Sequence, residues 1–290
     1  MRLHRFVFIA CFVTLESSAM AIDLAPLWDF GKPELSEQRL RAALATANKD
    51  DALILQTQIA RSYGLRREFA HAREILGSIE PQIRTASAEA RVYHALEFGR
   101  TLASATHPPE SQTSEVKEMA RSAYLRAFEL ARAERLDGLA VDALHMLAFV
   151  DTAPLEQLKW GQEALAIAEA SPQPAAKKWE ASLRNNVGYA LYQLGRYDEA
   201  LAQFRRAVVL RERAEDAEAT RAAHWMVGWT LRALNRGDEA LEIQLRLERE
   251  GDAAGAPSPY VYEELEILYR GRGDEARAER YAERRKALAK

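Results

Sequence analysis

The 290-residue chain has one cysteine, so it has no partner for an intramolecular disulfide and too few thiolates for a zinc site. It has only 10 prolines and 14 glycines, fewer than the frequent turns of an all-β protein require. The charges are balanced, with 40 Lys and Arg against 43 Asp and Glu. There is therefore no cationic excess, and nucleic-acid binding is not predicted. No apolar run reaches about 18 residues, so no transmembrane span is predicted either.

The composition favours one or more helical domains with a sizeable buried core. Hydrophobic residues make up 48% of the chain, which is too many for a disordered protein. Alanine, leucine, glutamate and arginine are abundant, and these are the residue types with high helix propensity. The sequence therefore predicts an all-α fold.

The N-terminus has the layout of a secretory signal peptide. A short basic start precedes the apolar residues 6–13, and a small-x-small site follows at Ala19 and Ala21. Cleavage after Ala21 would give an exported protein, periplasmic or secreted. The alternatives are a buried N-terminal helix and lipid attachment at Cys11. A fusion of residues 1–30 to a reporter active only outside the cytoplasm tests the prediction, and a silent reporter would contradict it.

The clearest periodic stretch, Ala181–Arg211, has the pattern of two helices joined by a tight turn. Apolar and small residues recur in each half at spacings of three and four, on one helix face. Gly195 and Arg196 break the first helix, while Asp198 and Glu199 place negative charge on the first turn of the second. The facing residues are Leu183, Val187, Gly188, Leu191 and Leu194, then Tyr197, Ala200, Leu201, Phe204, Ala207 and Val208. The pattern predicts a helical hairpin.

This stretch resembles the tetratricopeptide repeat, a helix–turn–helix unit of about 34 residues. The proline that usually follows the second helix is missing, and Glu212 stands there. Similar copies are centred on Ala60, Gly99, Ala148, Gly228 and Glu266, at spacings longer than the family repeat. The resemblance covers roughly residues 50–288 and implies an α-α superhelix, a solenoid with a concave face.

Three regions follow from these signals. Residues 1–21 are the predicted signal peptide, 22–49 an N-terminal segment with a capping helix, and 50–290 the solenoid of about six hairpins. Trp28 and Phe30 lie in the N-terminal segment without a clear period. They either cap the first helix pair or form an exposed docking segment.

No motif of nucleophilic, phosphate-binding or metal-dependent catalysis is present. The pairs Glu68/His71 and Asp142/His145 have the spacing of a carboxylate-bridged metal site, but such a site needs facing pairs, and units two apart in a solenoid do not touch. We interpret these histidines as surface or packing residues. The adjacent pair Glu263–Glu264 is interpreted as part of a solvated face, because neighbouring helix residues point about 100° apart. No catalytic residue, cofactor or metal is therefore predicted.

The resemblance to tetratricopeptide repeats implies that the inner face of each first helix lines a partner-binding groove. The predicted groove residues are Asn185, Tyr189, Tyr192, Trp225, Trp229 and Arg232, with Arg61, Arg100, His145 and Phe149 in earlier units. Tyr, Trp and Arg are enriched at interface hot spots. The alternative is that these aromatics fill the core between repeats. The Lys/Asn arrangement with which some family members hold a C-terminal carboxylate is not reproduced, because Tyr189 and Ala222 stand at those positions.

The predicted function is that of a non-catalytic scaffold or adaptor that binds a protein or peptide in the concave groove. The alternative is a receptor for a small molecule or glycan, or an accessory subunit of a cell-envelope enzyme, that uses the Tyr- and Trp-lined groove. The sequence does not determine the oligomeric state.

Overall fold

A computed structural model describes residues 22–288, and this part of the chain is helical with no strand. Two 3₁₀ turns lie at Ala25–Leu27 and Pro109–Ser111. The α-helices are α1 (Pro33–Leu44), α2 (Lys49–Leu65), α3 (Phe69–Ile83), α4 (Ala88–Leu102), α5 (Ser114–Ala133), α6 (Asp137–Val150), α7 (Pro154–Ala170), α8 (Pro174–Lys177), α9 (Glu180–Gln193), α10 (Tyr197–Arg213), α11 (Ala217–Ala233), α12 (Gly237–Ala253), α13 (Pro259–Gly271) and α14 (Glu275–Leu288). The predicted all-α fold is confirmed. The predicted signal peptide, with Cys11 and the cleavage site after Ala21, lies outside the described residues.

A repeated hydrogen-bonded turn ends many of these helices. Between α9 and α10, Gly195 has a φ of +74°, and the Arg196 N–H donates to the Leu191 carbonyl over 2.9 Å. This is the Schellman cap, in which a left-handed residue lets the chain reverse while a free carbonyl of the last turn is satisfied. The same bond closes the turns that contain Arg67, Asn235 and Gly273. The connections are therefore only a few residues long, and consecutive helices are antiparallel.

From α2 onward the helices pair as hairpins: α2 with α3, α4 with α5, α6 with α7, α9 with α10, α11 with α12, and α13 with α14. Helix α1 packs on α2, and the single-turn α8 lies against α6 and α7. First helices of neighbouring hairpins contact one another, as α2 with α4, α4 with α6, and α11 with α13. The second helices are spread further apart. The stack therefore curves with its first helices on the inside, which forms the concave face of a solenoid.

Small residues let the two helices of a hairpin cross closely. A Cβ built on Gly188 of α9 would lie 2.7 Å from Cε1 of Phe204 on α10, whose side chain is fully buried. Gly228 faces Gln244, and these two residues are as far apart in the sequence as Gly188 and Phe204. Gly99 faces Tyr124 across the longer α4–α5 connection. The predicted helix register in residues 181–211 is thus the observed one. From α4 to α14 the buried apolar residues form one continuous cluster, while those of α1 to α3 form three smaller clusters.

The N-terminal segment packs against α1 and α2 at the start of the stack. Trp28 packs beside a cluster centred on Leu40, Leu55 and Ile59, and its indole N–H donates to the Gln58 side chain over 3.2 Å. Phe30 stacks on Trp28 with 4.9 Å between ring centroids, and 58% of Phe30 is exposed. Trp28 therefore caps the stack, as one of the two alternatives predicted, while Phe30 remains open to solvent.

Within residues 22–288 no helix is both long and apolar enough to cross a membrane. The 20-residue α5 has the length but carries charged residues along its course.

Candidate functional site

The first helices present their inward-facing side chains along one continuous surface, which we call the inner groove. Two cavities of about 210 and 260 Å³ lie side by side on it and share His145 and Phe149. The first cavity begins at Arg61 on α2, and the second ends at Tyr189 on α9. Further along, the surface continues into the aromatic residues of α11. The structure thus brings the predicted residues of α2, α4, α6, α9 and α11 onto one surface.

The far half of the groove is an aromatic cluster, which we define as Tyr189, Tyr192, Trp225, Trp229 and Tyr260. Trp229 lies at its centre, stacked on Tyr192 with 3.4 Å between ring centroids, on Trp225 with 5.6 Å and on Tyr189 with 6.2 Å. Tyr260 meets Trp225 edge to face at 6.0 Å. Offset stacked and edge-to-face pairs of this kind contribute roughly 0.5–1.5 kcal/mol each. The five rings therefore form one contiguous aromatic surface.

The aromatic residues divide between groove and core. Tyr189 is 44% exposed and Tyr260 is 64% exposed, so both offer ring surface to a ligand. Trp225 and Tyr192 are half-buried and pack against the core, and burial raises the pKa of Tyr192. The indole N–H of Trp225 is buried without a hydrogen-bond partner in the described residues. Trp225 therefore belongs partly to the core, as the alternative interpretation proposed, while Tyr189 belongs to the groove.

Arg232 forms an ion pair that the sequence did not predict. Its Nε and one terminal nitrogen donate to the two carboxylate oxygens of Glu264 over 2.7 and 2.8 Å. Glu264 is only 3% exposed, so the interpretation of Glu263–Glu264 as a solvated face is wrong for Glu264. The reason is that α13 turns this side chain toward α11, where the guanidinium compensates its burial. Arg232 thus positions α13 beside α11.

Asn185 and His145 line the second cavity and belong to a small polar group with Asn186. The Asn186 side-chain nitrogen lies 3.3 Å from His145 Nδ1. Burial lowers the pKa of His145, and Arg100 lowers it further, although Asp142 opposes them. A neutral imidazole can accept the Asn186 N–H at Nδ1. Asn185 and Asn186 therefore place amide groups, which match the donors and acceptors of a peptide backbone, between the two halves of the groove.

The near half of the groove contains an ionic cluster, which we define as Arg61, Glu97, Arg100 and Asp142. Glu97 Oε1 and Asp142 Oδ1 each lie 2.5 Å from a nitrogen of Arg100. Burial alone would raise the pKa of Asp142, but Arg100 and Arg61 outweigh it and hold that pKa below its ordinary value. The same two carboxylates raise the pKa of Arg100 against the effect of burial. Glu97 is 1% exposed, so the ion pair between Glu97 and Arg100 is buried.

Sequence reasoning placed Arg61 and Arg100 in the groove but did not find their acidic partners. Glu97 is three residues before Arg100, a spacing that brings the two onto one helix face and that could have been read from the sequence. Asp142 was noticed only as part of a possible metal motif. In the structure it binds Arg100 instead, and His71 of the other motif stacks on Tyr63 at 4.2 Å. The described residues contain no cluster of three metal-ligating side chains.

Architecture and groove together define the class as a helical-repeat solenoid with a grooved inner surface. Residues 179–249 match the family model of the tetratricopeptide repeat. The predicted resemblance is confirmed there: α9 to α12 are tetratricopeptide repeats, in a chain whose overall fold is the α-α superhelix of such proteins. Among curated proteins, no sequence matches the chain significantly.

Solved structures with the same architecture include a signal transduction ATPase with a tetratricopeptide repeat sensor from Pyrococcus horikoshii. It matches with a TM-score of 0.69 at 14% identity, over 89% of this chain and 39% of that one. The apo form of RapI matches with a TM-score of 0.69 at 14% identity, over 90% of this chain and 72% of RapI. A Rap protein in complex with competence and sporulation factor matches with a TM-score of 0.53 at 14% identity, over 88% and 70%. At such identities the likeness establishes the fold. The chain spans well under half the length of the ATPase.

Proposed function

We propose that this protein is a non-catalytic adaptor that binds an extended protein or peptide segment along its inner groove. One observation carries the proposal: three of the four exposed aromatic side chains of the described residues lie on this surface. They are Phe149, Tyr189 and Tyr260, with exposures of 38%, 44% and 64%, while the fourth, Phe30, lies on the N-terminal segment. Exposed aromatic surface concentrated on one face is typical of an interaction site.

The amide and stacked groups between these rings support a peptide as the ligand. Asn185 and Asn186 can pair with backbone groups, while the exposed rings can hold apolar side chains. The complex of a similarly folded Rap protein with competence and sporulation factor is compatible with ligand binding by such a solenoid.

Tyr189→Ala is the sharpest test, because Tyr189 is at the edge of the aromatic cluster and contributes little to the core. We expect peptides selected from a displayed random library to bind the variant about 30-fold more weakly, the loss of a hot-spot residue worth about 2 kcal/mol. Affinities are measured by calorimetry, and melting temperatures report folding. Trp229→Ala is less suitable, since three rings stack on Trp229.

Val209→Ala is the matched control. Val209 is 45% exposed on α10, a second helix, and lies in an outer depression. This variant should keep full affinity. Equal binding by the Tyr189 variant, or a library that yields no binder, would contradict the proposal. Sugars or cell-wall fragments that raise the melting temperature while no peptide binds would favour the small-ligand alternative.

A further inference from the structure

The outer face of the stack has a trough between α3 and α5, the second helices of the first two hairpins. Its volume is about 730 Å³, and α4 forms its floor. On each of the three helices the lining side chains recur at spacings of three and four, so they form three stripes along the trough. The trough shares no lining residue with either cavity of the inner groove. It is therefore a separate surface of the molecule.

The shape and the apolar lining of the trough fit a further helix. Leu76 and Ile83 of α3 and Phe98 of α4 line it, and Met119 of α5 lies on its wall with 47% of its surface exposed. The lining residues of α3 span positions 73–83, which is about 15 Å at the helical rise per residue. The space between two parallel helices above a third accepts the side-chain ridges of another helix, here about three turns long.

Positive charge surrounds this apolar lining. Three arginines line the trough, one from each helix: Arg73, Arg91 and Arg126. None of them has a carboxylate oxygen within 4.0 Å in residues 22–288. Arg73 donates one N–H to the Thr101 carbonyl over 3.1 Å, while the Nε of Arg91 is buried without a hydrogen-bond partner in the same part of the chain. These guanidinium groups therefore have donors left for a ligand.

The two glutamates that line the trough already have other neighbours. Glu80 lies 3.8 Å from Arg84 and 3.3 Å from the His94 ring. Glu118 lies 3.2 Å from the Nε of Arg121. The trough thus has three arginines against two glutamates, and both glutamates face additional cationic or imidazole groups outside this count. Carboxylates on a ligand would compensate the remaining positive charge.

We propose that the trough is a second interaction site, which binds an amphipathic helix of a partner protein whose apolar stripe is flanked by Asp or Glu. The apolar stripe lies against Phe98 and Met119, and the flanking carboxylates pair with Arg91 and Arg126. The chain's own residues 1–21 do not match in charge, since they contain two arginines and one glutamate. Because the trough is separate from the inner groove, the protein can hold two partners at once.

Two synthetic helices test the charge requirement. The acidic probe is a capped peptide of about 14 residues, or four turns, with leucines at spacings of three and four and glutamates beside them. In the neutral probe each glutamate is replaced by glutamine. Fluorescence anisotropy gives the affinities, and ¹³C-methyl NMR follows the Met119 signal, which Met119→Leu assigns. We expect the acidic probe to shift this signal saturably and to bind about 10-fold more tightly at low ionic strength, the combined effect of several partly exposed ion pairs. Added salt should reduce the difference.

Two variants test whether the probes bind in the trough. The double substitution Arg91→Gln with Arg126→Gln should weaken the acidic probe about 10-fold and leave the neutral probe unchanged. Gly77→Trp should block both probes, because Gly77 lines the trough and a Cβ there has no atom within 4 Å, so α3 accepts the indole. Arg280→Gln is the control, since Arg280 is exposed on the last helix. Melting temperatures report folding, and the comparison of the two probes on the unaltered protein needs no variant.

Equal affinity of the two probes, or no saturable shift of the Met119 signal, would overturn the proposal. Binding that is lost in Tyr189→Ala but kept in Gly77→Trp would also contradict it, since the probe would then lie in the inner groove. A Met119 signal that moves with protein concentration alone would identify a second copy as the occupant, and displacement of the acidic probe by phosphatidylglycerol vesicles would identify a lipid surface. Either result excludes a partner helix. Library peptides that depend on Tyr189 test the proposed function separately from all these outcomes.

Discussion

Replacing Arg100 with alanine is expected to lower the free energy of unfolding by about 3–5 kcal/mol, the cost of leaving buried charges without their partner. Glu97 is 1% exposed and Asp142 6%, and both hydrogen-bond to this one guanidinium. Arg61 is the other cation nearby, and it makes no hydrogen bond to Glu97. Chemical denaturation at pH 7, followed by circular dichroism, measures the loss.

The deficit of the Arg100→Ala variant should shrink as the pH falls. In the unaltered protein the pKa of Asp142 lies below its ordinary value, so its contribution to stability is present above the unfolded-state pKa and lost as the pH drops through the folded-state pKa. Without Arg100, burial remains the dominant influence and should raise that pKa instead. Protonation then relieves the unpaired charge. Denaturation curves of both proteins between pH 7 and pH 4 test this, and a constant deficit would count against it.

Arg196→Ala provides the matched control for an arginine ion pair. Arg196 bonds to Glu199 through two nitrogens over 2.7 and 2.6 Å, but both side chains are exposed. Solvent screens such a pair, so its removal should be nearly silent at any pH. If the two arginine variants lose equal stability, burial is not the cause of the Arg100 effect.

Gly188→Leu is expected to cost about 3 kcal/mol of unfolding free energy. A Cβ at this position would already lie 2.7 Å from Cε1 of Phe204, and the fully buried ring has no space to move into. Overpacking therefore forces α9 and α10 apart or displaces the ring. Because each hairpin of a solenoid is stabilised by its neighbours, the damage should extend to the adjacent repeats. The melting temperature and hydrogen exchange of α9 to α12 report it.

Gly77→Leu is the control for the Gly188 substitution. Gly77 lies on the exposed face of α3, and a Cβ there would have no atom within 4 Å. Leucine has a higher helix propensity than glycine, so this variant should be neutral or more stable by up to about 1 kcal/mol. A Gly188 variant that melts like the unaltered protein would show that the close crossing of α9 and α10 is wrong.

Local patterns in the sequence were sufficient for the helical hairpins. The register of Gly188 against Phe204 follows from spacings of three and four within one short stretch, and the turn at Gly195 from the need for a left-handed residue. The same turn occurs at Arg67 and Asn235, where no glycine occupies the left-handed position. Asn235 is one of the residue types that tolerate the left-handed conformation, whereas at Arg67 the surrounding helices impose a conformation that the residue itself does not favour.

The pairing of charges and the exposure of the groove aromatics were decided by the tertiary structure. Arg100 and Asp142 are 42 residues apart, and Arg232 and Glu264 are 32 apart, so no local spacing brings them together. Their contacts depend on how each hairpin rotates against the next one. The sequence by itself therefore determined that the chain forms helix pairs and which faces they bury. Only the stacking of those pairs decided which acidic side chain each groove arginine binds, because that depends on the geometry between repeats.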